Sequence, residues 1–154
     1  MPAPLQVRAP LAGVVTPLED VRDPVFSAEL VGPGLAVDPT DAGPVDAVAP
    51  IDGTVAKVHP HAFAVSAPDG RTVLVHLGLD TVELRGAGFT VLVAEGAAVA
   101  AGDAVVRWTP SDVAAGGRSP ACPVVALGAE PRSLTPGAPG GTQVRVGDAL
   151  FTWA

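Results

Sequence analysis

Residues 59–89 read HPHAFAVSAPDGRTVLVHLGLDTVELRGAGF, and they contain all three histidines of the 154-residue chain. Two apolar arms, HAFAVSA and RTVLVH, flank the turn sequence APDG at 67–70. Proline second, aspartate third and glycine fourth favour a type I β-turn. The stretch therefore predicts a β-hairpin in which His61 begins one arm and His76 ends the other.

The register of this hairpin decides whether the two histidines meet. If all four residues of APDG form the loop, His61 pairs with His76 and their Cβ atoms lie about 5 Å apart. Phe63 and Leu74 then share that face, because side chains alternate along a strand. If Gly70 instead forms a bulge after a three-residue loop, the pairing shifts and the two rings point to opposite faces. We predict the first register, and the second stays open.

Short valine-rich runs recur along the whole chain between turn residues, which include 18 glycines and 17 prolines. Such runs are typical of β-sandwiches and barrels. No segment keeps a 3.6-residue apolar period over three turns, although a short helix or a turn is expected near 111–117. The predicted fold class is all-β, an antiparallel β-sandwich or barrel with little helix.

Two pairs of segments repeat within the chain. APLAGVV at 9–15 matches APIDGTV at 49–55, and VAAGDAVVRW at 99–108 matches VRVGDALFTW at 144–153. Each Gly-Asp pair suits a tight turn, and each tryptophan can close a strand end over a core. The repeats predict internally duplicated halves.

Composition excludes several classes of partner. The formal net charge of −7 opposes binding to nucleic acid or to an anionic membrane. No apolar run reaches the roughly 18 residues that span a bilayer, and no secretion signal is visible, so direct membrane insertion is not expected. The single cysteine, Cys122, fits a reducing cytosol. We expect one cytoplasmic domain over residues 1–154, with a short N-terminal tail at 1–8.

Three interpretations of paired imidazoles compete. The first is a pair of surface histidines without a role, which the cost of placing two titratable rings together disfavours. The second is a zinc hydrolase, because His59, His61 and His76 could supply three ligands with one open position. Against it, Pro60 interrupts the strand and no HExxH-type spacing is present. The third is phosphoryl transfer, in which one neutral imidazole attacks and the other stabilises the transferred oxygens.

The hairpin closely resembles the active-site hairpin of the glucose-type enzyme IIA of the bacterial phosphoenolpyruvate:sugar phosphotransferase system. The family pattern HA[FI], followed fifteen residues after its histidine by [VL]H[FLI]G[IL]DTV, is satisfied throughout by HAF and VHLGLDTV. VAPIDGTV, EGAAVAAGDAVVRW and VRVGDALFTW also occur in the family's order, so the resemblance covers about residues 9–153.

The resemblance implies a role for each histidine. His76 corresponds to the phosphate acceptor and His61 to its supporting partner. The family's donor is the phosphocarrier HPr, and its acceptor is a cysteine of a IIB domain of a membrane sugar permease. Glucose and N-acetylglucosamine systems both use this type. The family fold is an antiparallel β-sandwich with duplicated halves, and its relay needs no metal and no cofactor.

The resemblance also implies a docking surface. Asp23 and Asp80 correspond to acids that meet an arginine of HPr, and Gly78 stands where backbone groups orient the acceptor ring. The family's apolar rim corresponds here to Val25, Phe26, Leu30, Val31, Phe63 and Val82. Where some members place a threonine, this chain has His59, which either replaces the threonine's hydrogen bond or faces water.

Overall fold

The computed structural model describes residues 3–154, and these form mainly short strands. Within them the strands are β1 (Leu5–Arg8), β2 (Gly13–Pro17), β3 (Gly34–Pro39), β4 (Val45–Val48), β5 (Gly53–His59), β6 (Ala62–Ser66), β7 (Thr72–His76), β8 (Phe89–Val91), β9 (Ala98–Val99), β10 (Ala104–Trp108), β11 (Cys122–Ala126), β12 (Leu134–Pro136), β13 (Gln143–Val144) and β14 (Ala149–Trp153). The helices are α1 (Pro24–Ser27) and α2 (Pro110–Ala115), with 3₁₀ turns at Leu18–Asp20, Thr81–Leu84 and Pro131–Ser133. The all-β prediction and the short helix near 111–117 are both confirmed.

The strands form one large sheet and two small ones. The large sheet has the order β13-β2-β3-β11-β7-β6-β5-β9, and the small sheets have the orders β1-β14-β12 and β4-β10-β8. The β2–β3 and β5–β6 hairpins flank the central β11–β7 pair, so the large sheet reads as two similar halves joined in the middle. In the part of the chain that the structure describes, none of the helices has the length and apolar composition needed to cross a bilayer.

Equivalent residues of the two repeats make equivalent contacts. Val144 pairs with Gly13 in one half, and Val99 pairs with Gly53 in the other. A Cβ atom at Gly13 would lie 2.2 Å from the carbonyl oxygen of Asp38, and one at Gly53 would lie 2.1 Å from that of Ser66. Glycine is therefore required at both positions by the close approach of the neighbouring strand. The predicted duplication is confirmed.

The two faces of the large sheet bury different clusters. The inner face packs against the small sheets in the main core, to which Phe63, Val75 and Val124 contribute. The outer face carries a second cluster, which consists of Leu18, Val21, Phe26, Ala36, Leu79 and Val125. Leu18, Val21 and Phe26 come from the connection between β2 and β3, so this connection covers the outer face.

The N-terminal segment differs from the expected tail. Leu5–Arg8 form β1, which pairs with β14, and Val7 is fully buried opposite Phe151. An edge of β14 with free backbone groups, together with an alternating LQVR sequence, favours pairing over a loose tail. Only Ala3 and Pro4 of the described residues precede this strand, and the first two residues of the expected tail lie outside the described part.

Candidate functional site

The observed hairpin has the second of the two registers. Ala62 pairs with His76 and Phe63 with Val75, so the predicted direct pairing of His61 with His76 is wrong. Gly70 has a φ of 93° and donates its N–H to the carbonyl of Ala67 at 2.9 Å. Glycine adopts this left-handed conformation without steric cost, which allows a bulge to follow a three-residue loop.

The two histidine rings nevertheless meet. Their centroids are 5.3 Å apart, with an interplanar angle of 66°. His61 lies in the two-residue turn between β5 and β6, where the alternation of strand side chains does not apply. Its carbonyl accepts the N–H of Leu77 at 2.8 Å, which holds the turn beside the end of β7. We expected the shifted register to turn the two rings to opposite faces. The rings meet in this register because His61 lies in the turn and not in a strand.

The ring of His76 is held by the backbone that follows it. Its Nδ1 lies 2.6 Å from the carbonyl oxygen of Gly78. A carbonyl can only accept, so Nδ1 carries the proton and Nε2 of the neutral ring has a free lone pair. Gly78 has a φ of 78°, and a Cβ atom there would lie 2.8 Å from Thr81 Cγ2. Glycine is thus needed for the chain reversal that returns this carbonyl to the ring.

The surroundings of His76 keep its ring neutral. Burial lowers its pKa below the ordinary value of 6.5, while the Gly78 carbonyl and the charges of Asp23 and Asp80 act in the opposite direction. Since the net pKa shift is downward, the neutral and nucleophilic form predominates at pH 7.

His61 is flanked by two other imidazoles. Burial lowers its pKa, and the nearby charges of His76 and His59 lower it further. The ring of His59 stacks on that of His61, with centroids 5.8 Å apart and an interplanar angle of 20°. The side chain of His59 is thus exposed, and its ring stacks on that of His61.

This arrangement does not form a zinc site. No group of three or more His, Cys, Asp or Glu residues with the placement of metal ligands occurs in residues 3–154. Three zinc ligands must converge on a common centre. The zinc-hydrolase interpretation therefore has no support in the structure.

The connection between β2 and β3 supplies the other wall of the site. Asp23 caps α1, because its Oδ1 accepts the N–H of Val25 at 2.9 Å, and Pro24 occupies the first helical position. This places Phe26, which is 6% exposed, against the edge of His76 with ring centroids 5.3 Å apart. His76 is therefore in contact with both an apolar ring, Phe26, and an imidazole, His61.

The residues assigned to the apolar rim fall into two groups. Val25, Leu30 and Val82 are exposed by 44%, 71% and 57%, while Val31 packs partly against the outer cluster. Phe63 is only 1% exposed and lies in the main core. The shifted register turns it to the inner face with Val75, so it offers no surface to a partner.

Sequence reasoning missed the support behind this site. Thr81 is fully buried, and its hydroxyl donates to the carbonyl of Leu77 at 2.8 Å. The N–H of Leu79 donates to the carbonyl of Ser119 at 2.8 Å. The sequence feature that could have indicated this role is the position of Thr81 as the only hydroxyl residue in the segment LGLDTV.

Cys122 is fully buried, which raises the pKa of its thiol to about 12 and leaves it unreactive at neutral pH.

Comparisons with known proteins find similar chains of a single family. The family model for the phosphoenolpyruvate-dependent sugar phosphotransferase system, EIIA 1, matches residues 5–131. A PTS system glucose-specific EIIA component of Halalkalibacterium halodurans is 40% identical over 121 residues, which is 77% of this chain and 68% of that protein. A PTS system glucose-specific EIICBA component of Streptococcus pneumoniae is 46% identical over 115 residues, which is 73% of this chain and 15% of that protein.

The structural comparison extends the match to nearly the whole chain. Glucose permease IIA from Mycoplasma capricolum superimposes with a TM-score of 0.88 at 32% identity, covering 98% of this chain and 96% of that one. Together the matches define a phosphoryl carrier of a sugar-uptake system. The chain belongs to the EIIA 1 family of the phosphoenolpyruvate-dependent sugar phosphotransferase system.

Proposed function

We propose that Nε2 of His76 accepts a phosphoryl group from phospho-HPr and passes it to the cysteine of a IIB domain. The sugar taken up is of the glucose or N-acetylglucosamine type, and the relay operates in the cytoplasm. The observation that carries the proposal is the pairing of a ring fixed through Nδ1 at Gly78 with a second imidazole, His61, against its side.

The first transfer needs no proton to leave His76. The Nε2 lone pair attacks phosphorus, the phosphorus–nitrogen bond of the donor phosphohistidine breaks, and its electron pair returns to the donor ring. The His76 ring becomes cationic while Nδ1–H still donates to the Gly78 carbonyl. Hydrogen bonds from charged donors are stronger than those from neutral ones, so this carbonyl stabilises the phosphorylated state. In the second transfer a thiolate attacks phosphorus and the electron pair returns to Nε2.

His61 assists by stabilising the oxygens of the moving group. Phosphoryl transfer depends mainly on positioning and electrostatics rather than on covalent help. A neutral imidazole has one N–H, which His61 can donate to a phosphoryl oxygen at the position next to Nε2 of His76. Its lowered pKa keeps it from adding a second positive charge beside a phosphorylated His76.

The surface around the histidines suits a protein partner. Val25, Leu30 and Val82 present exposed apolar side chains. Asp23 and Asp80 act electrostatically on the same ring, His76. A surface of exposed apolar side chains beside two carboxylates suits a partner that presents an apolar patch and a cation. This agrees with the arginine of HPr that the family resemblance implies.

The acceptor assignment is tested by incubating the protein with phosphoenolpyruvate, enzyme I and HPr. We expect one acid-labile phosphate per chain, absent from His76→Ala and retained in the matched control Lys57→Ala. Phosphate on the His76→Ala variant would overturn the assignment. Stoichiometric zinc without phosphorylation would instead favour the hydrolase. Presenting individual IIB domains to the phosphorylated protein identifies the sugar.

The docking surface is tested separately. Val25→Glu should weaken HPr binding about tenfold, because a carboxylate would be buried at an apolar contact. Val146→Glu is the matched control, since Val146 is 51% exposed on a distant turn. Equal affinities for the two variants would place the docking surface elsewhere.

A further inference from the structure

His59 stands where some members of the family place a threonine, and its ring makes a stacking contact that a threonine cannot make. It is the last residue of β5 and pairs with Ala62 across the tight turn that holds His61. Its ring lies nearly parallel to that of His61, at a centroid distance of 5.8 Å. His61 thus has one imidazole, His59, against its face and another, His76, at 5.3 Å on a different side.

The backbone beneath these rings is fixed from two directions. The carbonyl of His61 accepts the N–H of Leu77 from the end of β7. On the other side, a Cβ atom at Gly86 would lie 3.3 Å from Cγ of Pro60, so the segment after the Thr81–Leu84 turn approaches Pro60 closely. Because the backbone is held, rotation of the His61 side chain is the remaining freedom that decides where its N–H points.

The stacked ring of His59 limits that rotation. His59 is exposed while His61 is half-buried, so His59 covers the face of His61 that would otherwise meet water. The titratable groups that act on His61 are His76 and His59, and both lower its pKa. Removing His59 therefore changes both the freedom of the His61 ring and its titration.

We propose that His59 is a positioning residue, whose ring holds His61 with an N–H directed at the phosphoryl group on His76. This inference rests on the proposed function and deepens it, because it explains how a half-exposed imidazole is kept in one orientation. Orientation of reacting groups contributes strongly to rate, so loss of the stack should slow the steps in which His61 acts.

The test compares His59→Ala, which removes the ring, with His59→Phe, which keeps a flat ring without charge. Lys57→Ala is the matched control, because Lys57 is an exposed residue of the same strand. Transfer of phosphate from the labelled protein to a IIB domain is measured by rapid quench between about pH 5 and 8, and His61 is titrated by NMR.

We expect transfer to IIB to slow about tenfold in His59→Ala and to recover in His59→Phe. The pKa of His61 should rise in both variants, because both lose the charge of His59. Unfolding midpoints should match the parent protein, since His59 is exposed. Equal transfer rates in His59→Ala and the parent, or equally slow rates in both His59 variants, would overturn the positioning role.

Failure of the proposed function has a different signature. If His76→Ala still accepts phosphate, the relay through His76 is wrong whatever the His59 variants do. The His61 titration does not depend on phosphorylation, so an unchanged pKa in His59→Ala would independently contradict the stacked arrangement.

Discussion

The two halves of the large sheet contain the same hairpin with different connections. β5 and β6 are joined by Pro60 and His61 alone, whereas β2 and β3 are joined by residues 18–33. The short connection places one imidazole through a backbone hydrogen bond to Leu77. The long connection covers the outer face of the sheet and supplies a wall and a carboxylate. The repeated scaffold is therefore common to both halves, and the site arises where they differ.

The position of the two connections shows how they cooperate. The short turn lies at the end of the sheet where β7 finishes with His76. The β2–β3 connection leaves β2 at Pro17, which lies level with Val75 of β7 through Leu35 and Val124. It crosses the outer face to bring Phe26 against His76. Four predictions test the separate contributions of the short β5–β6 turn and the long β2–β3 connection.

The largest expected effect is the loss of stability when Phe26, in the long β2–β3 connection, is truncated. Phe26→Ala should lower the free energy of unfolding by about 3 kcal/mol, because it empties the centre of the outer cluster. Urea unfolding measures the loss. Phe26→Leu, which keeps most of the volume, should cost about 1 kcal/mol. If Phe26→Ala is as stable as the parent protein, the connection does not depend on that cluster for its position.

The short turn should affect rate rather than stability. His61→Ala should still accept phosphate on His76 but should pass it to IIB about 100-fold more slowly, because the N–H that stabilises the transferred oxygens is lost. Rapid-quench transfer assays distinguish the two steps. Normal transfer to IIB by this variant would remove His61 from the mechanism.

Asp23 combines a structural and an electrostatic role in the long connection. Asp23→Ala removes the cap of α1 and should cost about 1 kcal/mol of stability by urea unfolding. Asp23→Asn keeps a capping oxygen and should be near the parent in stability. The pKa of His76, followed by NMR, should fall further in both variants, because the carboxylate that raises it is gone. An unchanged His76 titration in Asp23→Asn would show that the two groups do not interact.

The smallest expected effect is on the pH dependence of stability. The folded pKa of His76 lies below its ordinary value of 6.5, so below that pH the unfolded chain binds more protons than the folded one. Stability should therefore be greatest above about pH 6.5 and should fall as the pH drops through the folded pKa. His76→Gln should flatten this part of the curve in urea unfolding at successive pH values. A curve of the same slope in the variant would contradict the lowered pKa.

The repeats and the hairpin were the strongest sequence signals. The match of residues 9–15 with 49–55 predicted the duplicated strands, because each copy carries the glycine that a neighbouring carbonyl requires. The pattern around His61 and His76 pointed to the two rings that the structure brings together. The register was missed because APDG fits both loop types, and only the left-handed Gly70 selects the bulged one. Phe63 was misplaced as a consequence.

The all-β duplication, the family and the two histidines follow from local residue patterns and from their order along the chain. The groups that surround those histidines become known only once the chain is folded. The carbonyl of Gly78 reaches the site through a chain reversal, the ring of Phe26 through the β2–β3 connection, and the ring of His59 through a tight turn. Such contacts depend on how non-neighbouring segments pack, and no local pattern of side chains specifies that packing.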